Sequence, residues 1–410
     1  MIYDLIVIGA GPAGMIAGGR AAENGARVLI LEKNDKVGIK LLLTGKGRCN
    51  ITNAEADNRK FIELFGTNGK FLFSSMHRFN TADAVNFFEK LGVKTKVERG
   101  NRVFPISDKS RDVVSALFNY LKKHKVEIRT NSEVARIKSN NNKIDSVVLS
   151  DKKKYSAKNY LICTGGKSYP LSGSTGDAYS WLTSLGHTVV KPAPALTPLV
   201  LKQSWISDLE GLSLKNVNIN VYQKDKKKDS RFGEALFTAN GISGPIILDM
   251  SKSIGTLLEN GSVELSIDFK PALDSKVLDK RIQKDFSSLS NKMFKNSLDM
   301  LLPKKLIPII IKQSGIDGEK KVNSITRQER KILLNLLKDF KLNVSRLSGF
   351  ERAVVTSGGV SLSEIDPKTM QSKIIENLYL AGEVLDLDGP TGGFNLQVCW
   401  ATGYTVGEQF

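Results

Sequence analysis

The chain has 410 residues, three cysteines and a formal net charge of +18, with 41% hydrophobic and 25% charged residues. That length exceeds what one hydrophobic core usually serves, so two or three domains are expected, and the composition is that of an ordinary globular chain. No run of about 18 apolar residues occurs, so no helical membrane span is expected, and Cys49, Cys163 and Cys399 are too few and too scattered for a disulfide framework, which fits a reducing, cytoplasmic setting.

The basic balance raises the question of a polyanionic partner. Its distribution argues against one. The runs Lys122-Lys123-His124-Lys125, Lys152-Lys153-Lys154 and Lys226-Lys227-Lys228 fall in turn-like or helix-end settings without interleaved aromatic residues. They read as solvated surface lysine, and no nucleic-acid partner is expected.

In chain order, Tyr3 to Ile8 is a buried strand that runs directly into Gly9-Ala10-Gly11-Pro12-Ala13-Gly14, and the Ala-rich segment from Met15 to Glu23 then continues as a helix. This is a GxGxxG turn in its proper setting. Gly9 makes the tight turn, Gly11 lets the backbone approach a pyrophosphate, and Gly14 lets the helix lie close to the strand. The helix start aims unpaired N–H groups and a positive dipole end at the phosphates. A second apolar strand, Arg27 to Leu31, ends at Glu32, followed by Lys33. A carboxylate there accepts hydrogen bonds from ribose hydroxyls and disfavours a 2′-phosphate, so the site is expected to hold FAD or NAD, not NADP.

The next stretch, Gly38 to Asn53, places Gly45 and Gly47 on either side of Lys46 and leads into Arg48, Cys49 and Asn50, a loop able to offer many N–H donors to a flat ligand. A short amphipathic helix follows at Thr81 to Leu91, then a strand pair at Val93–Val97 and Arg102–Pro105, then a helix from Arg111 to Lys123. Val126–Arg129, Glu133–Ile137, Ile144–Leu149 and Lys154–Ala157 read as a meander of strands, and Val134 is a candidate for backbone contact with an adenine. Tyr160 to Cys163 is a second strand ending in glycines, at Thr164-Gly165-Gly166. Leu378 to Ala381 is a third, ending at Gly382-Glu383, and Gly393-Phe394-Asn395 opens a last helix.

Three strand ends so far apart in sequence form the pattern of an FAD domain built from two distant pieces. In that arrangement Glu383 binds the ribityl chain, and the last helix directs its dipole at the pyrimidine edge of the flavin. NAD has no need of the third arm, so FAD is the expected cofactor. The intervening residues form an insertion. It opens at Pro192 to Pro198, read as a linker, continues through alternating strands at Val217–Tyr222 and Val263–Asp268, and turns helical from Ser275 to Leu342. Within it Gly241-Ile242-Ser243-Gly244-Pro245 reads as a helix start capped by Ser243. The apolar stripe of Lys331–Leu337 is read as packing inside the insertion, not as a partner surface.

Taken together, the GAGPAG turn, KLLLTGKGRCNITN at Lys40 to Asn53, CTGGKSYPLSGSTGDAY from Cys163, FTANGISGPIIL from Phe237, VTSGGVSLSEIDPKTMQSK and LYLAGEVLDLDGPTGGFNLQVCWATG resemble the BaiN/YhiN-type flavoproteins. The resemblance implies an α/β fold: a glutathione-reductase-like Rossmann FAD domain over 1–190 and 350–410, an inserted β-rich, barrel-like substrate domain over 191–272 with part of 343–360, and a small helical domain over 273–342. It places FAD on Gly9, Gly11, Pro12, Ala13 and Gly14, on Glu32 with Lys33 beside it, and on Lys40. It adds Thr44, Gly45, Gly47, Arg48, Cys49 and Asn50, then Thr164, Gly165 and Gly166, then Gly382 and Glu383, and finally Gly393, Phe394, Asn395 and Leu396. Cys163 stands where an Ala is common in the family.

Family activities include reduction of conjugated enone steroids and oxidation of small amines with O2. The first expectation is therefore a flavin oxidoreductase in which NAD(P)H, bound transiently because no second GxGxxG occurs, reduces FAD, and hydride passes from flavin N5 to an unsaturated, enone-type small molecule. An amine oxidase that produces peroxide is the alternative, and a non-catalytic FAD protein that binds a polyanion the third. No CxxxxC pair is available for a dithiol relay, and Cys49 reads as a small loop residue. His77, His124 and His187 are isolated and read as surface or hydrogen-bonded histidines. No catalytic residue, metal ligand or oligomeric state is assigned.

Overall fold

Every residue of the first strand, β1 (Tyr3–Ile8), is buried except the half-exposed Asp4, which suits the centre of a sheet covered on both faces. In the computed structural model, which describes residues 2–410, β1 lies third in a five-stranded parallel sheet. Its neighbours are β2 (Val28–Leu31) on one side and Ala157–Ile162 on the other, with Glu127–Arg129 and Leu378–Leu380 at the edges. Strands from the two ends of the chain thus meet in one sheet, and their C-terminal ends all face the same way.

The helix after β1, α1 (Pro12–Glu23), is made of small residues so that two other helices can lie against it. A Cβ on Gly19 would come within 2.2 Å of the Tyr120 ring, on the helix Ser110–Lys123. One on Gly403, in the last helix Phe394–Gly407, would come within 2.5 Å of the Ala13 carbonyl oxygen. Substitution at either glycine pushes two helices apart.

Two compact units result: one runs up to Ala195 and resumes at Phe350–Phe410, the other is Leu196–Gly349. In the first, two expectations need correcting. Glu127–Arg129 does not belong to the antiparallel meander but extends the parallel sheet, leaving Val134–Asn140, Lys143–Leu149 and Lys154–Tyr155 as a separate three-stranded sheet. The proline-rich stretch is not a linker at its start, because Val189–Ala195 pairs antiparallel with Val355–Val360. The register slips between Val190 and Ala193, around Pro192. A two-stranded ribbon with a bulge accommodates prolines that a central strand rejects.

The second unit is a closed six-stranded barrel in the order Leu199–Leu201, Gly241–Ser243, Lys226–Thr238, Ser213–Gln223, Val263–Asp268 and Phe340–Leu347. Ser243 is no helix cap: it pairs with Leu236 in the barrel, and Gly244 takes the cap position of the helix Pro245–Glu259. Gly244 has φ +102°, and a Cβ there would lie 2.8 Å from the Ala235 Cα, so the strand-to-helix turn requires glycine. The helices Ser275–Ser288, Ile307–Ser314 and Arg327–Lys338 contribute to the barrel's buried cluster: Leu278, Ile282, Leu333 and Leu337 join Leu265 and Phe340. Leu333 and Leu337 of the stripe at 331–337 are thereby buried within the unit while Ile332 stays exposed, and 273–342 packs with the barrel around one core. Of 343–360, the barrel takes the end of its last strand while Val355–Val360 lies in the first unit.

Candidate functional site

Three chain segments converge on the start of α1. Gly9 has φ +106°, and a Cβ there would sit 2.8 Å from the Cys163 carbonyl oxygen at the end of the second sheet strand. A Cβ on Gly14 would lie 2.0 Å from the Gly9 oxygen and 2.8 Å from the Cys163 sulfur. A Cβ on Gly382, in the third segment, would lie 3.0 Å from the Ala13 Cβ. Around Gly11 the situation is reversed, for nothing lies within 4 Å of its Cβ direction. Gly9 and Gly14 are glycines because the protein presses on them; Gly11 faces open space. The N-terminus of α1 carries no side-chain cap and has Pro12 in its first turn, so its unpaired N–H groups are available for phosphate oxygens.

At the end of β2 the buried Glu32 carboxylate is already oriented. Its Oε2 accepts from Ala10 N at 2.8 Å, and its Oε1 accepts from Asn34 N at 2.9 Å and Asn34 Nδ2 at 2.7 Å. Oε2, with one protein donor, keeps acceptor capacity for a ribose hydroxyl. Ser132 N donates to the Glu32 carbonyl at 2.8 Å, which brings the following Val134, buried at the head of its strand, to the same end of the sheet. The Lys33 ammonium is engaged elsewhere, with Thr175 Oγ1 and Asp177 Oδ2 at 2.6 Å each.

The second cluster centres on Glu383. Lys40 Nζ lies 2.6 Å from Glu383 Oε2 and 2.7 Å from Ser168 Oγ, while Ser168 Oγ and Thr356 N donate to Glu383 Oε1 at 2.7 and 2.8 Å. The Thr356 hydroxyl accepts in turn from Lys167 N at 2.7 Å and Ser168 N at 3.1 Å. Gly166 completes the contact, since a Cβ there would strike Thr356 Oγ1 at 2.3 Å. Residues 40, 166, 168, 356 and 383 thereby form one rigid group. Neither Ser168 nor Thr356 stood out from the sequence. Both lie within the family motifs, but no spacing rule links them to Glu383.

The loop from Thr44 is built of left-handed residues: Gly45, Lys46, Gly47 and Cys49 have φ of +57°, +58°, +83° and +62°. Cys49 is fully buried, and burial pushes its thiol up to about 12, so the sulfur stays protonated at neutral pH. The Arg48 guanidinium stacks 3.9 Å from the Phe104 ring centroid and pairs with Glu98 at 2.9 Å and Asp108 at 3.3 Å. The loop is fastened to the start of the last helix through Thr52 Oγ1–Gln397 Oε1 at 2.7 Å, Asn53 Nδ2–Gly392 O at 3.0 Å and Trp400 Nε1–Ile51 O at 2.9 Å. Gly393, φ +100°, caps that helix, and a Cβ on it would meet the Thr52 carbonyl carbon at 2.4 Å. Phe394 packs on Phe61 with centroids 5.1 Å apart. The Asn395 side chain closes the preceding turn through Gly389 N, Gly389 O and Pro390 O, and Leu396 is half-buried beside it.

Three buried oxygens among the described residues have no protein partner on these segments: Asn50 Oδ1, Thr164 Oγ1 and the Tyr179 hydroxyl. A buried polar atom without a partner costs about 1–3 kcal/mol, and a polar ligand that reaches such an atom relieves that cost. Tyr179 was not singled out in the sequence. It sits in the helix Asp177–Ser184, and burial, together with the negative charges of Glu383 and Asp386, holds its hydroxyl well above the ordinary tyrosine range. With the open space at Gly11, these oxygens fit a phosphate-bearing, ring-containing cofactor. His187 lies apart from that use: buried, it meets Glu364 Oε2 at 3.0 Å and Ser372 Oγ at 2.9 Å. Among the described residues no group of three or more His, Cys, Asp or Glu could hold a metal ion, and no helix is long and apolar enough to cross a membrane.

Comparison with known proteins places this geometry. The profile of the family described as "HI0933-like protein Rossmann domain" matches residues 3–409. The 3-dehydro-bile acid delta(4,6)-reductase of Clostridium scindens is 31% identical over 98% of this chain and 97% of its own length. The ribosomal RNA dihydrouridine synthase of Haemophilus influenzae is 29% identical over 97% and 96%. Among solved structures, the 3-ketosteroid delta1-dehydrogenase from Sterolibacterium denitrificans covers all of this chain and 99% of its own, with a TM-score of 0.54 at 12% identity, a likeness of fold.

Proposed function

The chain belongs to the HI0933-like Rossmann family of FAD-dependent oxidoreductases, and from that premise we propose that it saturates a carbon–carbon double bond conjugated to a carbonyl, with NAD(P)H as a transient electron donor. The observation that carries this reading is the pair of near-full-length relatives. A delta(4,6) 3-oxo steroid and a uracil ring share one reacting unit, a C=C whose far end is polarised by a carbonyl.

FAD, when bound, supplies hydride at N5. The work left to this chain is holding and polarising. Unpaired amides at the start of α1 take the pyrophosphate, and Glu32 Oε2 takes the ribose. The Lys40–Ser168–Glu383–Thr356 group holds the Glu383 carboxylate in place for the ribityl hydroxyls. Unpaired amides at the start of Phe394–Gly407 favour negative charge placed near them. Burial keeps the three thiols protonated: Cys49 and Cys399 are both pushed up to about 12, and Cys163 is raised as well.

One substrate class has a specific observation behind it. A net charge of +18 suits a polyanion, and the Haemophilus relative's name makes a uracil within ribosomal RNA the second reading beside the free small molecule of the Clostridium relative. On that second reading the lysine runs are phosphate contacts. The test is to incubate the FAD-loaded protein anaerobically with NADH or NADPH and, separately, a conjugated 3-oxo steroid and unmodified ribosomal RNA. A mass gain of two hydrogens on either substrate supports the reading and identifies the class. No gain on either, with peroxide formed from amines in air, would replace it with the oxidase reading.

A further inference from the structure

The first unit carries a cleft of about 420 Å³ among α1, the helices Thr81–Lys90 and Ser110–Lys123, and the last helix. It is remote from the phosphate-facing end of α1: Arg20 and Glu23, which line it, lie roughly 12–17 Å along the helix from Pro12 by the rise per residue. None of its lining residues belongs to the cofactor site described above.

The wall is a continuous series of rings. Tyr404 stacks on Phe79 at 4.6 Å, Phe79 meets Phe87 edge-on at 5.9 Å, Phe87 meets Tyr120 at 5.3 Å, and Tyr120 meets His124 at 5.0 Å. The acidic groups in the cleft are already engaged. Glu23 accepts from Arg20 at 2.8 Å and from the Tyr120 hydroxyl at 2.8 Å, and Asp83 closes the capping box of its helix on Asn80 N at 2.9 Å. Arg20, paired with Glu23 and Glu408, also lies over the Tyr404 ring at 5.3 Å. Three further cations line the cleft, Arg78, Lys90 and Lys123, all exposed and without an ion pair among the described residues. The cleft therefore combines aromatic rings with an excess of exposed positive charge.

We infer that this cleft is a second ligand site, separate from the flavin, for a nucleoside monophosphate. A planar base finds the rings of Phe87 and His124, which are half-buried, whereas Tyr404 is already covered by Phe79 and Arg20; stacking of a base on such rings is tolerant of its identity. A dianionic phosphate finds Arg78, Lys90 and Lys123. The volume lies within the range of small-molecule clefts. The cleft lies at the far end of α1 from the phosphate-facing turn, and a ligand in it touches the helices that flank α1. The inference does not rest on the proposed reaction.

The test uses the FAD-loaded protein, so that the flavin's own adenylate pocket is filled, titrated with AMP, adenosine and ribose 5-phosphate by calorimetry at low and high salt. Saturable AMP binding is expected, weakened by salt, with each half-ligand binding more weakly than AMP. The double variant Lys90→Glu/Lys123→Glu should weaken AMP binding by about tenfold or more while its flavin content and melting temperature stay unchanged. A milder variant, Phe87→Leu, should lower AMP and adenosine affinity but leave ribose 5-phosphate alone. Absence of saturable AMP binding to the holoprotein, or AMP binding that the charge reversals leave intact, overturns the assignment.

Discussion

Glycines in one short turn serve opposite purposes. Gly14 is pinned by the Gly9 oxygen and Gly11 faces free space, so their substitutions should separate cleanly. Gly11→Val is expected to leave the melting temperature of the FAD-free protein unchanged but to bind FAD at least about tenfold more weakly, because its side chain fills the ligand's space. Gly14→Ala is expected to lower the melting temperature, because its methyl meets backbone that cannot retreat. The flavin-to-protein absorbance ratio and a thermal melt of each variant decide the matter, and a Gly11→Val protein that keeps its full flavin would mean the pyrophosphate lies elsewhere. Thr356→Val carries the same logic to the second cluster. It strands the Lys167 and Ser168 amides and should cost about 1–3 kcal/mol, measurable by denaturant unfolding together with faster flavin release on dilution.

Elements differed in how well they could be read from the sequence, for physical reasons. β1, its turn and α1 were legible because the motif is local: strand, glycines, helix and Glu32 follow within about one βαβ unit. The Glu383 cluster was half legible. Glu383 ends a strand and announces itself, whereas Ser168 and Thr356 act across separations of 215 and 27 residues that no periodicity encodes. Pro192 to Pro198 reads as a linker because proline usually marks a break, and the bulged two-stranded ribbon that takes in its start is where it does not. His187 illustrates an element's dependence on pH. It follows the helix Asp177–Ser184 and ties that region to Glu364 and Ser372. Burial lowers its pKa below the ordinary 6.5, outweighing Glu364, which raises it. A group with a depressed folded pKa contributes stability above its unfolded value, and that contribution is lost as pH falls from about 6.5 toward the folded value. Thermal melts from pH 7.5 down to 5.5 should therefore fall more steeply for the native protein than for His187→Gln, which has no proton to take up. Parallel curves would show that the imidazole is not held neutral.

For the whole molecule, the chain returns to its own beginning. Leu378–Leu380 completes the sheet begun by β1, and the last helix packs on α1 and seals the Thr44–Asn53 loop. The long middle segment forms a barrel with its own core. The glycine turn, Glu32 and Glu383 thus come together from both ends of the sequence, while the segment between them folds around a core of its own. The net charge of +18 bears on the substrate. If ribosomal RNA is the substrate, its binding should weaken linearly in log–log form with salt, at a slope set by the number of phosphates neutralised, whereas turnover of a free steroid should be nearly indifferent to salt.

The most direct test of the central claim is anaerobic stopped-flow absorbance of the purified flavoprotein at the flavin band, mixed with NADH, with NADPH and with small amines, followed by a conjugated enone or ribosomal RNA. The account predicts that a nicotinamide bleaches the flavin and that the unsaturated substrate restores its colour without oxygen. Bleaching by amines alone, with colour returning only when air is admitted and peroxide formed, would contradict it.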